Sequence, residues 1–410
     1  MRTSGRFRAV SLLVALGVLL GLPGARAQGP LKIGFIYADS GSAAQAGIDM
    51  RDGFLLYWSE IGNKAGGRPV EVLLEATGTN KPDEALTKAR KLVERDRVHL
   101  LGGIIATPEA YALRPYIIEK KIPTVIMNAG ADELTKKLRS PYIFRSSFSN
   151  SDGSHPFGDW AYRQGYRKMV LLASDFGGAV EHIGGVARTF TEAGGRVIQE
   201  IYPPIGAPDF APYLAQIKRD ADVVATAIFA ADSLRLVKQY DEFGLKEKIP
   251  LAGKALTWED VLPAQGDAAI GVISVSHYST ALDNPENKHF VQAFEGKYRK
   301  PAAGFAEQGY VGAQMMAKAL EAVKGNVESQ EAFLAALRRV EVDAPRGKVK
   351  LDAFQNPVHT IYICKVEKRG GVLQNVPIAS YPNTTQFWKW TPEQFMALPG
   401  YLEMKGKWAK

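Results

Sequence analysis

The sequence predicts an α/β protein of two lobes, each built around a parallel sheet, with crossover segments joining them. Three observations support this fold class. Strand-like apolar segments alternate with amphipathic helical segments, which is typical of parallel sheets. The alternation stops near residue 146 in an extended, serine-rich segment and then begins again. The chain has 410 residues, whereas single hydrophobic cores stop growing at about 250–300 residues.

The first series of elements ends at this extended segment. The helix after the first strand has apolar residues at helical spacing across residues 48–61, and Gly66-Gly67 ends it. Pro82 opens the next helix, and Pro108 lies at the start of a third that runs to about residue 120. The predicted strands are rich in β-branched and aromatic residues and cover residues 31–37, 70–75, 98–105 and 122–127.

The second series repeats the alternation. A helix across residues 180–193 ends at Gly194-Gly195, which is a common stop signal. Two long helical segments, near residues 287–298 and 306–324, precede strand-like residues 358–366 and a tail rich in tryptophan and phenylalanine. The predicted strands of this series cover residues 168–174, 196–202, 223–229, 249–252 and 271–277.

Three segments mark where the chain is expected to pass between the lobes, at residues 142–152, 276–280 and 341–350. The serine-rich first crossing suits a flexible hinge more than a ligand site. The two long helical segments after the second crossing are expected to return to the first lobe. We therefore predict a leader at residues 1–27, a first lobe from residues 28–146 and 279–342, and a second lobe from residues 147–278 and 343–410.

The N-terminus has the pattern of a cleaved secretory signal peptide. Three arginines precede an apolar run over residues 9–22, and Ala25-Arg26-Ala27 supplies a small-residue cleavage site before Gln28. The run is shorter than the roughly 20 residues of a membrane span, which favours export with cleavage over a membrane anchor. We therefore expect a soluble periplasmic protein.

The charge distribution argues against nucleic-acid binding. The formal net charge is +8, and removal of residues 1–27 with their four arginines lowers it to +4. The remaining lysines and arginines are scattered, with no basic run interleaved with aromatic residues. We predict no nucleic-acid partner.

Catalytic and metal-binding motifs are missing from the sequence. It contains no glycine-rich phosphate or dinucleotide motif and no Gly-x-Ser-x-Gly or Ser-x-x-Lys nucleophile motif. The six histidines are dispersed, with no pair at the spacing of metal ligands on a helix. The prediction is a binding protein and not an enzyme, with no catalytic residue, metal or cofactor.

The ligand is expected in the crevice outside the carboxyl ends of the strands, where the strand-end loops meet. Several of these loops begin helices, whose free backbone N–H groups suit a carboxylate. Thr107 adds a hydroxyl and Asn128 an amide, although each of them, like Ser40, is as readily a cap or turn former. The candidate residues of the loops are Tyr37, Ser40, Gln45, Ile105, Ala106, Thr107, Asn128, Ala129, Gly130, Phe176, Phe229 and Lys254.

A set of ordered segments carries a family resemblance. They include Leu-Lys-Ile-Gly at residues 31–34, Ile-Pro-Thr-Val-Ile-Met at 122–127, Asp-Glu-Leu-Thr at 132–135, Phe-Arg at 144–145, Tyr-Pro at 202–203 and residues 347–352. Together they resemble the branched-chain amino-acid type of periplasmic solute-binding protein, the receptor of ABC importers, over nearly the whole chain after the leader.

The resemblance implies a specific architecture and mode of action. The family has the type I periplasmic binding fold, with two Rossmann-like lobes joined by three crossings. Such proteins close on a small ligand about a hinge, and the permease subunits of the transporter in the membrane recognise the closed form. The resemblance therefore implies a monomeric binding protein that catalyses no reaction.

The departures from the family pattern concern the ligand. Amino-acid binders of this type hold the α-carboxylate with hydroxyls in two strand-end loops, which here contain Ala-Thr at 106–107 and Ala-Gly at 129–130. They also place an acid in the second lobe for the α-ammonium group, where this sequence has Lys254. Because a buried ammonium needs a carboxylate partner, Asp175 or Glu307 would have to substitute.

The ligand that best fits these departures is a small organic acid with an apolar or aromatic body, whose carboxylate Lys254 and Thr107 would hold. The aromatic residues that would bracket the body, and for which core packing is the competing explanation, are Tyr37, Phe176, Phe229 and Trp258. The alternatives are a hydrophobic or branched-chain amino acid, a ligand-sensing regulatory module on the same fold, and an exported hydrolase whose site is assembled from distant residues.

Overall fold

The computed structural model describes Met1, residues 29–78 and residues 81–410. The predicted signal peptide therefore lies outside the described residues, Met1 excepted. Two sheets organise the described part of the chain. The strands of the first sheet are β1 (Leu31–Ser40), β2 (Lys64–Ala65), β3 (Arg68–Gly78), β4 (Leu100–Gly103), β5 (Thr124–Ile126) and β6 (Ile143–Arg145). The strands of the second sheet are β7 (Lys168–Ala173), β8 (Arg196–Ile201), β9 (Val223–Ala227), β10 (Leu251–Lys254), β11 (Ile273–Ser276), β12 (Glu341–Ala344), β13 (Gly347–Leu351), β14 (Pro357–Arg369) and β15 (Val372–Thr384).

Helices occupy the connections between strands. A proline stands at the first or second position of several of them, including α2, α3 and α9 defined below, where its missing N–H is not needed. A π-helical turn, Lys91–Arg95, extends α2. The helices are α1 (Ala44–Glu60), α2 (Pro82–Arg90), α3 (Thr107–Lys120), α4 (His155–Arg163), α5 (Gly177–Glu192), α6 (Ala211–Leu214), α7 (Ala230–Glu242), α8 (Leu262–Gln265), α9 (Pro285–Tyr298), α10 (Gly304–Ala322), α11 (Gln330–Arg338), α12 (Pro392–Ala397) and α13 (Tyr401–Met404).

The two sheets are mostly parallel. The first has the order β2-β3-β1-β4-β5-β6, and among its pairs only β2 with β3 is antiparallel. In the second, β8-β7-β9-β10-β11 are parallel, and antiparallel β14 follows β11 and pairs with β15 and β13. The predicted α/β fold class is confirmed. Strand β15 was not predicted, because few of its side chains are buried and it lacks an apolar run.

Alternate residues of the central strands contribute to cores on opposite faces of each sheet. In β1, Phe35 packs in a cluster with residues of α1 and α10, whereas Ile36 packs with residues of α2 and α3. In β7, Leu171 joins a cluster with α4 and α5, and Leu172 one with α6 and α7. This burial on both faces explains why the strands are almost continuously apolar, as is usual for parallel sheets.

Helix α10 lies against the first sheet although it follows β11 of the second sheet in the chain. It packs closely on α1, because glycines on both helices remove the side chains that would separate the backbones. A Cβ atom at Gly309 would lie 1.9 Å from the carbonyl oxygen of Met50, and one at Gly53 would lie 1.9 Å from that of Ala306. We call the first sheet with α1–α3 and α9–α11 the first lobe, and the second sheet with the remaining helices the second lobe.

The chain passes between the lobes at three places. These are the segment between β6 and α4, the segment between β11 and α9, and the β12–β13 hairpin that leads to β14. The first crossing, residues 146–154, is buried throughout, and two buried arginines, Arg145 and Arg346, donate hydrogen bonds to its backbone carbonyls. The predicted lobe boundaries after residues 146, 278 and 342 fall in or beside these segments and stay a prediction.

The C-terminal segment supports one loop of the second lobe. Tyr401 of α13 is buried against α5, and the side chain of Lys405 forms an ion pair with Asp175, which directly follows Ser174 at the end of β7. These contacts fix the C-terminal segment against residues 174–178. Within the described residues, no helix combines the length and the apolar character that a bilayer crossing requires.

Candidate ligand-binding site

A cavity of about 140 Å³ lies between the two lobes, beside the carboxyl ends of β4, β5, β7, β9 and β10. This is the position in which open α/β sheets place their ligands. Both lobes and the first crossing contribute to its wall. The lining residues are Ser42, Ala43, Ile105, Ala106, Thr107, Asn128, Gly130, Phe148, Asn150, Ser174, Phe176, Gly178, His182, Ile205, Phe229, Ala230, Asp232, Lys254, Ala255, Trp258 and Phe305.

Five helices, α1, α3, α5, α7 and α10, begin at the cavity wall. Their N-cap residues carry apolar side chains, which cannot accept a hydrogen bond from the first turn. Some amides at these helix starts are bonded within the chain, such as Ala44 N–H to the Gly41 carbonyl and Ala106 N–H to Glu109. The first turns of helices have further N–H groups without intrahelical partners, and the positive ends of the helix dipoles favour an anion. The N-cap residues are Ala43, Ala106, Phe176, Phe229 and Ala303.

Lys254, the last residue of β10, supplies a cation to this wall. It is 4% exposed, and its Nζ has no hydrogen-bond partner among the described residues. In the neighbouring carboxylate of Asp152, Oδ2 accepts hydrogen bonds from the Ser149 amide and from Asn356, whereas the buried Oδ1 has no hydrogen-bond partner among the described residues. Burial lowers the pKa of Lys254 to about 8, and the negative charge of Asp152 opposes this effect. A buried ammonium group without a partner is costly, so an anionic ligand would relieve it.

The other titratable groups of the wall are neutral or paired. Burial, and secondarily the charge of Lys254, holds the pKa of His182 well below its usual range. Asp232 accepts a hydrogen bond of 2.7 Å from the Gly206 amide and forms an ion pair with Arg235. Within the described residues the wall therefore offers a free cation and no free carboxylate. No group of three or more potential metal ligands occurs among the described residues either.

Five aromatic residues line the cavity, Phe148, Phe176, Phe229, Trp258 and Phe305. The rings of Trp258 and Phe305 meet edge to face with centroids 4.8 Å apart, and those of Phe176 and Phe229 meet at 6.3 Å. The indole N–H of Trp258 donates to Ser276 Oγ at 2.8 Å, so the polar atom of this ring is satisfied outside the cavity. An apolar cavity of about 150 Å³ accommodates benzene. The observed volume therefore suits a single aromatic ring.

Gly130 makes room for two side chains of the first crossing. A Cβ atom at this position would lie 2.1 Å from Asn150 Oδ1 and 2.7 Å from Phe148 Cε2. The backbone amide of Asn150 also donates to the Gly130 carbonyl at 2.7 Å. Any larger residue at 130 would displace Asn150 or Phe148 from the wall.

Three strand-end residues at or beside the cavity have left-handed backbone conformations. Ile104, Ala230 and Ala255 have φ values of 67°, 51° and 50°. Such conformations are uncommon for residues other than glycine and cost on the order of 1 kcal/mol or more each. The clustering of this strain around one cavity is typical of a binding site.

The structure brings eight of the thirteen predicted site residues together around the cavity. They come from five strand ends of the two lobes. Core packing, the competing explanation for Phe176 and Phe229, is partly correct too, since both rings also pack against buried core residues. The eight residues are Ile105, Ala106, Thr107, Asn128, Gly130, Phe176, Phe229 and Lys254.

Three predicted residues near the end of β1 lie outside the cavity wall. The strand continues to Ser40, beyond the predicted end at residue 37, so the following loop starts later and is shorter. The ring of Tyr37 packs beside the first-lobe core with the Arg51 guanidinium 5.2 Å from its centroid. Ser40 is exposed, and Gln45 donates a hydrogen bond to Asp49 on α1.

The remaining two predicted residues, Ala129 and Glu307, do not line the cavity, and neither does Asp175, the other acid proposed for a ligand ammonium group. All three interact with other parts of the protein. Ala129 faces the core of the first lobe. Glu307 is fully buried with Arg346 Nε 3.0 Å from its Oε1, and burial raises its pKa to about 7. Asp175 forms the ion pair with Lys405. Neither acid faces the cavity, so neither is placed to receive a ligand ammonium group.

Sequence reasoning missed residues that do not follow a strand. Phe148 and Asn150 belong to the first crossing, whose serine-rich sequence suits a hinge more than a ligand site. His182 projects from the second turn of α5, and Phe305 from the first turn of α10. The one sequence signal for a role in the ligand site is Phe-Ser-Asn at 148–150, which places a large ring and an amide within a segment of small residues.

The sequence matches known proteins along most of its length. The family profile described as "Periplasmic binding protein" matches residues 30–371. The Leu/Ile/Val-binding protein homolog 6 of Brucella suis biovar 1 (strain 1330) is 33% identical over 345 residues, which cover 82% of this chain and 88% of that protein.

Two solved structures are similar in fold and sequence. An ABC transporter substrate-binding protein from Sphaerobacter thermophilus is 38% identical, and the match covers 87% of this chain and 99% of that chain with a TM-score of 0.83. The solute-binding protein of an ABC transporter from Rhodopseudomonas palustris BisB5, in complex with 3,4-dihydroxybenzoic acid, is 32% identical. That match covers 87% of this chain and 98% of the other, with a TM-score of 0.83.

Proposed function

The chain belongs to the periplasmic binding protein family, and from this premise we propose that it is the solute-binding receptor of an ABC importer whose ligand is a small aromatic carboxylate. The protein binds this ligand between its lobes and releases it chemically unchanged. It acts in the periplasm, as a monomer, and presents the closed, ligand-bound form to the permease subunits in the membrane.

The observation that carries the ligand assignment is the ammonium group of Lys254, which has no hydrogen-bond partner among the described residues and lies in a wall that contains five aromatic residues. A carboxylate near Nζ would form a charge-assisted hydrogen bond in a water-poor environment, where such bonds are strongest. The N-terminal ends of five helices add partial positive charge around the same space. The aromatic walls and the volume of about 140 Å³ suit one ring attached to that carboxylate.

The same wall disfavours the branched-chain amino acids that the alternative hypothesis names. An amino acid would bring an α-ammonium group into a cavity that contains Lys254 and no free carboxylate among the described residues. A buried ammonium without a carboxylate partner costs several kcal/mol. The relative named as a Leu/Ile/Val-binding homolog supports the family assignment but does not remove this electrostatic conflict.

The proposal is tested by calorimetric titration of the purified mature protein with benzoate, 3,4-dihydroxybenzoate, isoleucine and phenylalanine. We expect saturable binding of an aromatic acid and at least a hundredfold weaker binding of both amino acids. Ligand at about a hundred times its dissociation constant should stabilise the folded state by about 2.7 kcal/mol, which thermal unfolding would detect. Tight binding of isoleucine with no binding of either aromatic acid would overturn the ligand assignment.

A second measurement separates transport from the sensing alternative. The protein should be retained by detergent-solubilised permease subunits of an ABC importer more strongly with ligand than without it. Ligand-dependent retention by a membrane sensor protein and not by a permease would instead support the regulatory module.

A further inference from the structure

The side chain of Asn150 links both lobes at the edge of the ligand cavity. Its Nδ2 lies 3.1 Å from Oγ1 of Thr107, at the start of α3 in the first lobe. It also lies 2.7 Å from Oε2 of Glu181, on α5 in the second lobe. An asparagine amide has two N–H donors, so both are used by these two neighbours.

This arrangement assigns a role to the hydroxyl of Thr107. Its oxygen accepts the hydrogen bond from Asn150, and a threonine hydroxyl has one hydrogen of its own to donate. No hydrogen bond from this hydroxyl to another residue forms within the part of the chain that the structure describes. Because Thr107 lines the cavity, its hydrogen is left for an acceptor atom of the ligand.

Glu181 determines the orientation of the Asn150 amide. Glu181 is 2% exposed, lies outside the wall of the ligand cavity, and accepts hydrogen bonds from Tyr111 and from the Asp132 backbone amide as well as from Asn150. If the amide were flipped, Asn150 Oδ1 would face Glu181 Oε2, which also accepts the Asp132 amide N–H. This oxygen is an acceptor in the ionised group and also when a proton is on the other oxygen, so two acceptors would repel each other. The flipped amide would also accept the Thr107 hydrogen and remove it from the ligand.

We propose that Glu181 is a positioning residue that acts through Asn150 to hold the Thr107 hydroxyl as a donor toward the ligand, so that this end of the cavity selects a carboxylate over a carboxamide. The inference rests on the proposed function and names the residues that set its specificity. A carboxylate presents only acceptors to Thr107 and Lys254, whereas a carboxamide places its own N–H group against one of these donors. Gly130 contributes to this arrangement, because the absence of a side chain at position 130 leaves the space that Asn150 occupies.

The test is a double-mutant cycle read as the ratio of benzoate affinity to benzamide affinity. The ratio is measured by calorimetry at pH 7, with benzamide titrated in competition with benzoate, for the wild type, T107V, E181A and the double variant. We expect T107V and E181A each to lower the ratio about tenfold, as the loss of one hydrogen bond to a charged group predicts. The double variant should match T107V alone, because both changes remove the same donor.

Two further variants distinguish a positioning role of Glu181 from a general effect of Glu181 on the stability of the fold. E181Q keeps an acceptor for Asn150 and should retain a ratio within about threefold of the wild type. Y111F removes a different hydrogen bond to Glu181 and should leave the ratio unchanged even if it lowers the unfolding temperature. If E181A does not fold, N150A takes its place in the cycle, with the same expected loss and the same lack of additivity with T107V.

Each outcome is decisive. A ratio that E181A leaves unchanged, or losses that add in the double variant, would overturn the positioning role while the proposed function stands. A wild-type protein that binds neither benzoate nor 3,4-dihydroxybenzoate would overturn the proposed function, and this inference with it.

Discussion

The ammonium nitrogen of Lys254 lies 4.2 Å from the centroid of the Phe148 ring. The two residues come from different parts of the fold, since Lys254 ends a strand of the second lobe and Phe148 lies on the first crossing between lobes. The ring provides a weak cation–π contact but no hydrogen-bond acceptor comparable to a carboxylate. The pair therefore presents a partly satisfied charge beside an aromatic face, which are the two features that an aromatic acid requires.

Replacement of Lys254 by methionine should weaken benzoate binding by roughly 10–100-fold, the range expected for a hydrogen bond between charged groups. Binding of neutral benzamide should fall by about fivefold or less. The ligand-free variant removes a buried ammonium group but also the cation that offsets the charge of the buried Asp152 carboxyl group, so its unfolding temperature is measured beside its affinity. Calorimetry and thermal unfolding measure these effects.

Lys318→Met serves as the matched control, since Lys318 is an exposed residue of α10 away from the cavity. It should change neither affinity. Equal losses of benzoate and benzamide binding in K254M would remove Lys254 from the carboxylate-binding role.

Benzoate affinity should decline above about pH 8. Burial lowers the pKa of Lys254 to about 8, so the charged form that binds a carboxylate is complete below that pH and is lost as the pH rises through it. The dissociation constant should then increase by up to tenfold per pH unit. In the unfolded chain a lysine titrates near pH 10.4, so between about pH 8 and pH 10.4 this residue makes the ligand-free protein more stable as the pH rises.

K254M isolates the contribution of Lys254 to the pH dependence. Burial also raises the pKa of Glu181 to about 8, and K254M retains that carboxyl group. The variant should therefore show only the pH dependence that Glu181 causes. A decline in affinity of the same size in wild type and K254M would assign the titration to another group.

Gly130→Ala should reduce benzoate affinity at least tenfold with little loss of folding. The added Cβ would approach Asn150 Oδ1 to 2.1 Å, so Asn150 and Phe148 must leave their positions in the wall. Gly177→Ala, at the first residue of α5, is the matched control, because a Cβ there would meet only Leu402 Cδ2 at 3.7 Å. Calorimetry on both variants checks the prediction, and wild-type affinity in G130A would contradict it.

Arg346→Met should destabilise the protein by about 3–5 kcal/mol, because it leaves Glu307 buried without its cation. The double variant E307Q/R346M should recover part of that loss, and E307Q alone should leave benzoate affinity within about twofold. Chemical denaturation and calorimetry measure the two quantities. A large loss of benzoate affinity in E307Q at unchanged stability would show that Glu307 contributes to ligand binding.

The local pattern of the sequence was sufficient for the architecture and for part of the candidate site. The period of apolar residues predicted the strands and helices, and their alternation predicted the parallel sheets. Residues that directly follow strands could be named in advance, because the carboxyl ends of parallel strands meet at one edge of a sheet. Thr107, Gly130 and Lys254 are examples.

The partner of each buried polar group was decided only by the tertiary structure. The sequence alone leaves Glu307 as a possible ligand-binding residue, but in the structure it pairs with Arg346. It also leaves Tyr37 as a possible cavity residue, but β1 continues beyond Tyr37 to Ser40. Asn150 reaches Thr107 and Glu181, which lie 43 and 31 residues away in the chain.

The sequence by itself determined the α/β fold class, the exposed strand ends and a lysine where amino-acid binders of the family have an acid. The tertiary structure decided that this lysine has no hydrogen-bond partner among the described residues. It also decided that Glu307 and Asp175 pair with an arginine and a lysine, and that the first crossing is buried and lines the cavity. The physical reason is that backbone periodicity is set by neighbouring residues, whereas the cost of a buried charge or amide depends on which distant groups the folded chain places within hydrogen-bonding distance.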